Sequence, residues 1–105
     1  MIKYVNNKEE FKEAVLTNKK PVLVDFFATW CPPCKMLTPV LEKIDEQGVS
    51  FDIVKVNIDE VQDLASEYKI EVVPTMLIFK DGVQMDKIVG FVDEDKIIDS
   101  MSNYN

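Results

Sequence analysis

The chain predicts an α/β domain, a mixed five-stranded sheet flanked by four helices in the order β-α-β-α-β-α-β-β-α. Three observations carry that prediction. Val22–Ala28 (VLVDFFA) is a near-continuous apolar run, as a central strand covered on both faces requires. Met36, Leu37, Val40, Leu41 and Ile44 then recur at helical spacing and give the next segment one apolar face. Further on, Thr75–Lys80 and Val83–Val89 read as two strands joined by Asp81-Gly82, a dipeptide suited to a two-residue hairpin turn. Strands joined through helices should pair in parallel and the closing hairpin antiparallel, with helices on both faces of the sheet.

The remaining elements follow in order. Ile2–Val5 forms a short first strand. Asn6 or Asn7 caps a helix whose apolar positions Phe11, Ala14 and Val15 fall at i, i+3, i+4, and Lys19-Lys20-Pro21 ends it. The second helix contains Pro39, which is expected to kink it, and Gly48 can terminate it. Phe51–Asn57 is a strand, and Val61, Leu64, Ala65 and Tyr68 mark a third helix. Asp93 caps a last helix that buries Ile97, Ile98 and Met101. Residues 1–105 are expected to form one domain, long enough to bury roughly two-thirds of its unfolded surface without staples.

The bulk composition narrows function. Apolar residues make up 47% and charged residues 30%, a globular balance. The formal charge of -7, from 12 basic and 19 acidic side chains, argues against a nucleic-acid binder and against an anionic membrane surface. No apolar stretch approaches the roughly 20 residues of a membrane span. Met1-Ile2-Lys3-Tyr4-Val5 runs into Asn6, Asn7 and Lys8 with no basic segment leading into an apolar one, so no secretory leader is expected. The expected location is a reducing, cytoplasmic compartment, where a Cys-x-x-Cys pair is catalytic or metal-binding more often than structural.

The two cysteines of the chain both fall in one motif, Trp30-Cys31-Pro32-Pro33-Cys34. Two thiols three positions apart at the start of a helix can close into a disulfide and reopen. Cys31 precedes the second helix, whose unpaired N–H groups and positive dipole end favour a thiolate. Cys31 is therefore the expected nucleophile, attacking a substrate disulfide to give a mixed disulfide. Cys34, one turn on and shielded by the helix, is the expected resolving thiol. Zinc wants four ligands, and two Cys with no His do not supply them, so no metal is expected. Pro32 and Pro33 suit the first helical positions and stiffen the loop between the sulfurs, with the helix starting at about Pro33. They also remove two amides that could donate to the Cys31 sulfur, which makes them redox-tuning positions.

Other residues group around this motif. Asp25, inside an apolar strand, should have a raised pKa and could take the proton from Cys34. Lys55 can pair with it or reach out to water. Trp30 is either an exposed aromatic that grips a partner chain or a core residue. The Val73–Pro74 bond is trans by base rate, and Gly90 suggests a bulge or a close backbone approach.

Along essentially its whole length the chain resembles the thioredoxin family. The shared residues are Asp25 within VDFFATWCPPCKM, Pro39, VKVNID at 54–59, VPT at 73–75, FKDG at 79–82 and VG at 89–90. The resemblance implies a thioredoxin fold and a protein-disulfide reductase. It implies that Pro74 is cis and faces the cysteines across a groove lined by Trp30, Val73, Thr75 and Gly90, where an extended client segment docks. It assigns Cys31 as nucleophile, Cys34 as resolving thiol, Asp25 as buried base and Lys55 as its neighbour. No bound cofactor is implied; the redox-active Cys31–Cys34 disulfide carries the electrons. A flavoprotein thioredoxin reductase drawing on NADPH would recharge the pair. Clients would include ribonucleotide reductase, peroxiredoxins and methionine sulfoxide reductases, and the protein would act as a monomer. Two positions depart from the family pattern: Pro32-Pro33 replaces the usual Gly-Pro, and Phe27 replaces a usual Trp. The first motivates an alternative, a more oxidising disulfide oxidase or isomerase. A second alternative is a non-catalytic binding module using the Trp30–Pro74–Gly90 surface.

Overall fold

A computed structural model describes residues 2–105. Among these residues the order is β1 (Ile2–Val5), α1 (Lys8–Phe11) continuing as a π-helical segment (Lys12–Leu16), β2 (Val22–Phe27), α2 (Pro32–Glu46), β3 (Asp52–Asn57), α3 (Gln62–Glu67), β4 (Thr75–Lys80), β5 (Val83–Val89) and α4 (Glu94–Ser102). The strands form one sheet in the order β1-β3-β2-β4-β5. β3 runs parallel to both β1 and β2, while β4 is antiparallel to β2 and β5. This is the expected mixed five-stranded sheet, and the apolar run of β2 occupies its centre.

Local chemistry sets the element ends. Asn7 is the N-cap of α1; its side chain accepts the Glu10 N–H at 2.8 Å, and the Glu10 carboxylate accepts the Asn6 N–H at 2.8 Å. The π-helical continuation has no counterpart in the sequence pattern. It arises where the Thr17 N–H reaches back five residues to the Lys12 carbonyl (3.0 Å), while the Thr17 hydroxyl donates to the Lys12 and Glu13 carbonyls. Asp81 and Gly82 take φ of 53° and 78°, the pair of left-handed conformations a two-residue hairpin turn requires. A Cβ on Gly82 would lie 2.6 Å from the Leu16 carbonyl oxygen, so glycine also lets the hairpin tip rest on the end of the first helix.

Three local expectations change. α2 starts at Pro32 rather than Pro33, because Cys31 itself is the N-cap. Its sulfur accepts the Cys34 N–H at 3.2 Å and its carbonyl accepts the Lys35 N–H at 3.1 Å. Those two bonds outweigh the bias of a residue preceding proline. The Val73–Pro74 peptide is cis, against the base rate and in line with the family resemblance. Of the two readings of Gly90, the close backbone approach holds and the bulge does not. The register irregularity of the hairpin lies at Ile78/Phe79, whereas Gly90, at φ 86°, donates its N–H to the Pro74 carbonyl at 2.8 Å.

Alternation along the strands divides the core between the two faces of the sheet. Val22, Val24 and Phe26 of β2 pack with Val54 and Val56 of β3, Leu77 and Phe79 of β4, and Phe11, Val15 and Leu64 from the helices of that side. Leu23 of β2 packs on the other side with Ile53, Met76 and Ile78 against Leu37, Leu41 and Ile44 of α2 and Ile97 and Met101 of α4. Asp25 and Lys55 follow Leu23 and Ile53 by two positions, so the pleat directs both toward α2.

Candidate active site

The site begins at the carboxyl end of β2, where the chain leaves the sheet and enters α2. Cys31 and Cys34 are joined in a disulfide with a Cα–Cα separation of 5.2 Å. The prolines between them leave the Cys34 amide as the donor that reaches the Cys31 sulfur. Both cysteines are nearly buried, Cys31 2% and Cys34 3% exposed, so burial does not rank them as the sequence reading expected. The cause is packing from three segments: Phe27 at the end of β2, Ile58 just after β3 and Val73 of the loop before β4 cover the cysteine pair, and the Val73 carbonyl oxygen lies 3.6 Å from the Cys31 sulfur, placed to accept from its reduced thiol.

The loop carrying cis-Pro74 is held from both ends. The Thr75 hydroxyl donates back to the Val72 carbonyl at 2.6 Å, and the Pro74 carbonyl accepts from Gly90. Pro74 and Thr75 are consequently buried, while Val73 and Gly90 are half-buried. Trp30 is 64% exposed, which settles its placement at the surface; its indole N–H donates to Asp59 at 3.0 Å and fixes the ring beside the motif. Val72 and Phe91 are exposed apolar residues next to the 73–75 and 89–90 segments that pattern reading passed over, and Val89 within the second is exposed as well. An exposed hydrophobe carries no periodicity signal of its own.

Beneath α2 lies a buried charge pair. Asp25 and Lys55 are register partners on β2 and β3, with Lys55 Nζ 3.8 Å from Asp25 Oδ2. Neither carboxylate oxygen of Asp25 has a hydrogen-bond partner. Burial pushes the Asp25 carboxyl up from 3.8 to about 7, and the Lys55 charge opposes that shift without cancelling it. Lys55 is itself only 3% exposed. Its ammonium sits 4.7 Å from the Phe27 ring centroid and 5.6 Å from that of Tyr4, and donates to the Thr38 hydroxyl at 3.1 Å. Sequence reasoning singled out Asp25 and Lys55 but missed Thr38 and Tyr4. A threonine in a helix and a tyrosine in an edge strand look ordinary until strand register brings them to Lys55.

A cavity of about 310 Å³ opens beside the pair and is lined by Cys34, Thr38, Lys55, Phe27 and Tyr4. Among the described residues no cluster of three or more His, Cys, Asp or Glu side chains could hold a metal ion, and no helix is long and apolar enough to cross a membrane. The redox-capable group of the site is the Cys31–Cys34 couple, and Cys34 lines the same cavity as Lys55, the partner of the buried Asp25 carboxyl.

Comparison with known proteins agrees. The family profile described as thioredoxin matches residues 2–103. A thioredoxin of Chlamydia caviae is 46% identical over 98 residues, covering 93% of this chain and 93% of its own. A thioredoxin of Mycoplasmoides gallisepticum is 40% identical over 96 residues, covering 91% of this chain and 95% of its own. Among solved structures, a point-mutant thioredoxin from Halobacterium salinarum superposes with a TM-score of 0.91 at 41% identity, over 98% of this chain and 89% of that one. With sequence, fold and the paired sulfurs in agreement over almost the whole length, the chain belongs to the thioredoxin family and is a thiol–disulfide oxidoreductase of the protein-disulfide reductase type.

Proposed function

We propose that this protein passes two electrons at a time from its Cys31–Cys34 dithiol to disulfides in client proteins, with Asp25 as the proton acceptor. The observation that carries the reading is the position of the disulfide: its Cys31 sulfur caps α2 against the Val73–Pro74 loop, and Cys34 shares a cavity with Lys55, the partner of a buried carboxyl that has no hydrogen bond. In the reduced protein the Cys31 thiolate attacks one sulfur of a client disulfide. A mixed disulfide forms and the first client sulfur leaves as a thiolate. The Asp25 carboxylate takes the proton of Cys34. The Cys34 thiolate attacks the Cys31 sulfur, the mixed disulfide breaks, and the second client thiolate leaves. The client disulfide is reduced by two electrons and the Cys31–Cys34 bond is the oxidised product. A carboxyl poised at about 7 exchanges protons near neutral pH, which suits this transfer.

The client segment would dock across Trp30, Val73, Pro74, Thr75 and Gly90. The Pro74 and Gly90 pairing supplies a rigid wall, and exposed Trp30 supplies apolar contact. Cys31-Pro32-Pro33-Cys34 is read as a variant of the family motif. Pro32 and Pro33 leave the Cys31 sulfur with the Cys34 N–H as its backbone donor, and Lys55 tunes Asp25. Thioredoxin reductase, an NADPH-dependent flavoprotein, would return the pair to the dithiol, making the protein a cytoplasmic electron carrier that acts as a monomeric single domain over residues 1–105.

The test is dithiothreitol-driven reduction of insulin disulfides. The protein should accelerate the reaction and Cys31→Ser should abolish the acceleration; a full rate from Cys31→Ser would overturn the assignment of nucleophile. Cys34→Ser should still form the mixed disulfide with a client and fail to release it.

A further inference from the structure

We propose that Thr38 is a positioning residue: its side-chain hydroxyl anchors the Lys55 ammonium against Asp25 and so sets the pH at which that carboxyl can exchange a proton. The proposal rests on the reading of Asp25 as the proton acceptor for its catalytic meaning, but the placement itself can be tested separately.

A hydroxyl has one hydrogen to give and lone pairs to accept with. The Thr38 hydroxyl donates its hydrogen to the Cys34 carbonyl, one turn back along α2, at 3.2 Å. That bond fixes the oxygen's direction and leaves it free to accept from Lys55 Nζ at 3.1 Å. The ammonium is thereby held on the helix side while the rings of Phe27 and Tyr4 bound it elsewhere. Its distance to Asp25 Oδ2, 3.8 Å, makes an ion pair, yet Asp25 receives no hydrogen bond from it. Lys55 thus touches Thr38 more closely than its own counter-charge, and Thr38 decides where the charge sits.

The surroundings give the sign of the effect. Asp25 is faced from β3 by Lys55 and from β4 by its register partner Met76, which carries no charge, and it lies on the sheet face covered by α2, the helix that carries Cys34 and Thr38. Lys55 is faced by the Tyr4 phenol from β1, and the cleft it lines is also lined by Glu42, Asp45 and Glu46 of α2. Without the hydroxyl anchor, the flexible lysine turns toward that acidic cleft and away from Asp25. Asp25 then loses part of its counter-charge, and the proton stays on its carboxyl to higher pH.

The experiment compares the parent with Thr38→Val, which keeps the side-chain shape, and Thr38→Ser, which keeps the hydroxyl. The carboxyl carbon shift of Asp25 is followed by NMR through a pH titration of the reduced protein. Thr38→Val should raise the titration midpoint by about one pH unit, and Thr38→Ser should restore it. The pH profile of mixed-disulfide resolution should move by the same amount. In a Lys55→Met background Thr38→Val should add no further shift, because the two act through one contact. A midpoint that is unchanged or lower in Thr38→Val, or a further upward shift in the Lys55→Met background, would overturn the proposal. Asp25→Asn separates the underlying reading. If its resolution rate kept the parent's pH profile, Asp25 would not be the proton acceptor, while the NMR midpoint would still decide whether Thr38 holds Lys55.

Discussion

On the face of the sheet covered by α1 and α3, β2 contributes Val22, Val24 and Phe26 to an unbroken apolar layer. On the face covered by α2 and α4 the same strand contributes Leu23 and then Asp25. The apolar face is closed by a ring cluster. Phe79 meets Phe11 and Tyr68 edge-on at 5.9 and 5.6 Å, and Phe26 and Phe11 tilt against Tyr68 at 6.2 and 5.5 Å. The α2 face gives up two core positions to an ion pair that satisfies neither oxygen of the carboxylate. Both sides of the sheet carry a hydrophobic core, but the α2 side loses stability at two positions to keep a titratable pair beneath the helix that carries the sulfurs. A buried group left without a hydrogen bond is costly, and such groups persist where chemistry uses them.

The contrast can be broken by mutation. Phe79→Ala should destabilise by about 3–5 kcal/mol at every pH, since the loss is one of packing. Chemical denaturation at pH 5 and pH 8 reads this; a loss confined to one pH would mean that the apolar face also carries a titrating group.

Asp25→Ala tests the other face. The folded carboxyl titrates at about 7 against 3.8 for an unfolded one. Below 3.8 both states are protonated and the carboxyl adds no pH-dependent cost. As pH rises the unfolded chain ionises first, so the parent loses stability until its own carboxyl ionises near 7. The swing, about three pH units, is worth roughly 4 kcal/mol. Between pH 4 and pH 8 the parent should lose that much relative to Asp25→Ala, while the variant resolves mixed disulfides more slowly. Parallel stability curves for the two proteins would show that Asp25 titrates normally.

A smaller change sharpens the boundary. Asn7→Ala removes the N-cap of α1 and should cost about 1 kcal/mol, leaving the midpoint of Asp25 in place. A shifted midpoint in that variant would mean that the two faces are coupled through the sheet.

The sequence was read well where its signals are local. The hairpin at Asp81-Gly82, the cap at Asp93, the buried run of β2 and the Cys-x-x-Cys motif at a helix tip all depend on neighbours within a few positions, and each stands where expected. Reading failed where a distant group decides. The burial of Cys31 depends on a loop that meets the motif only in the folded chain, and the cis isomer of Val73–Pro74 was legible from the family resemblance but not from local base rates. Gly90 was recognised as unusual, but its Pro74 partner comes from the far end of a strand pair.

By itself, the sequence determined the order of elements, the alternation that sends Asp25 and Lys55 to one face, and the two sulfurs available for exchange. Periodicity and short motifs are properties of adjacent residues, so they survive without a fold. Tertiary structure alone decided that Lys55 stands beside Asp25, that Thr38 lies within reach of its ammonium, and that Val73 covers Cys31. Those relations arise from strand register and from the seating of α2 on the sheet, which bring together groups far apart in the chain and exclude the water that would otherwise screen them.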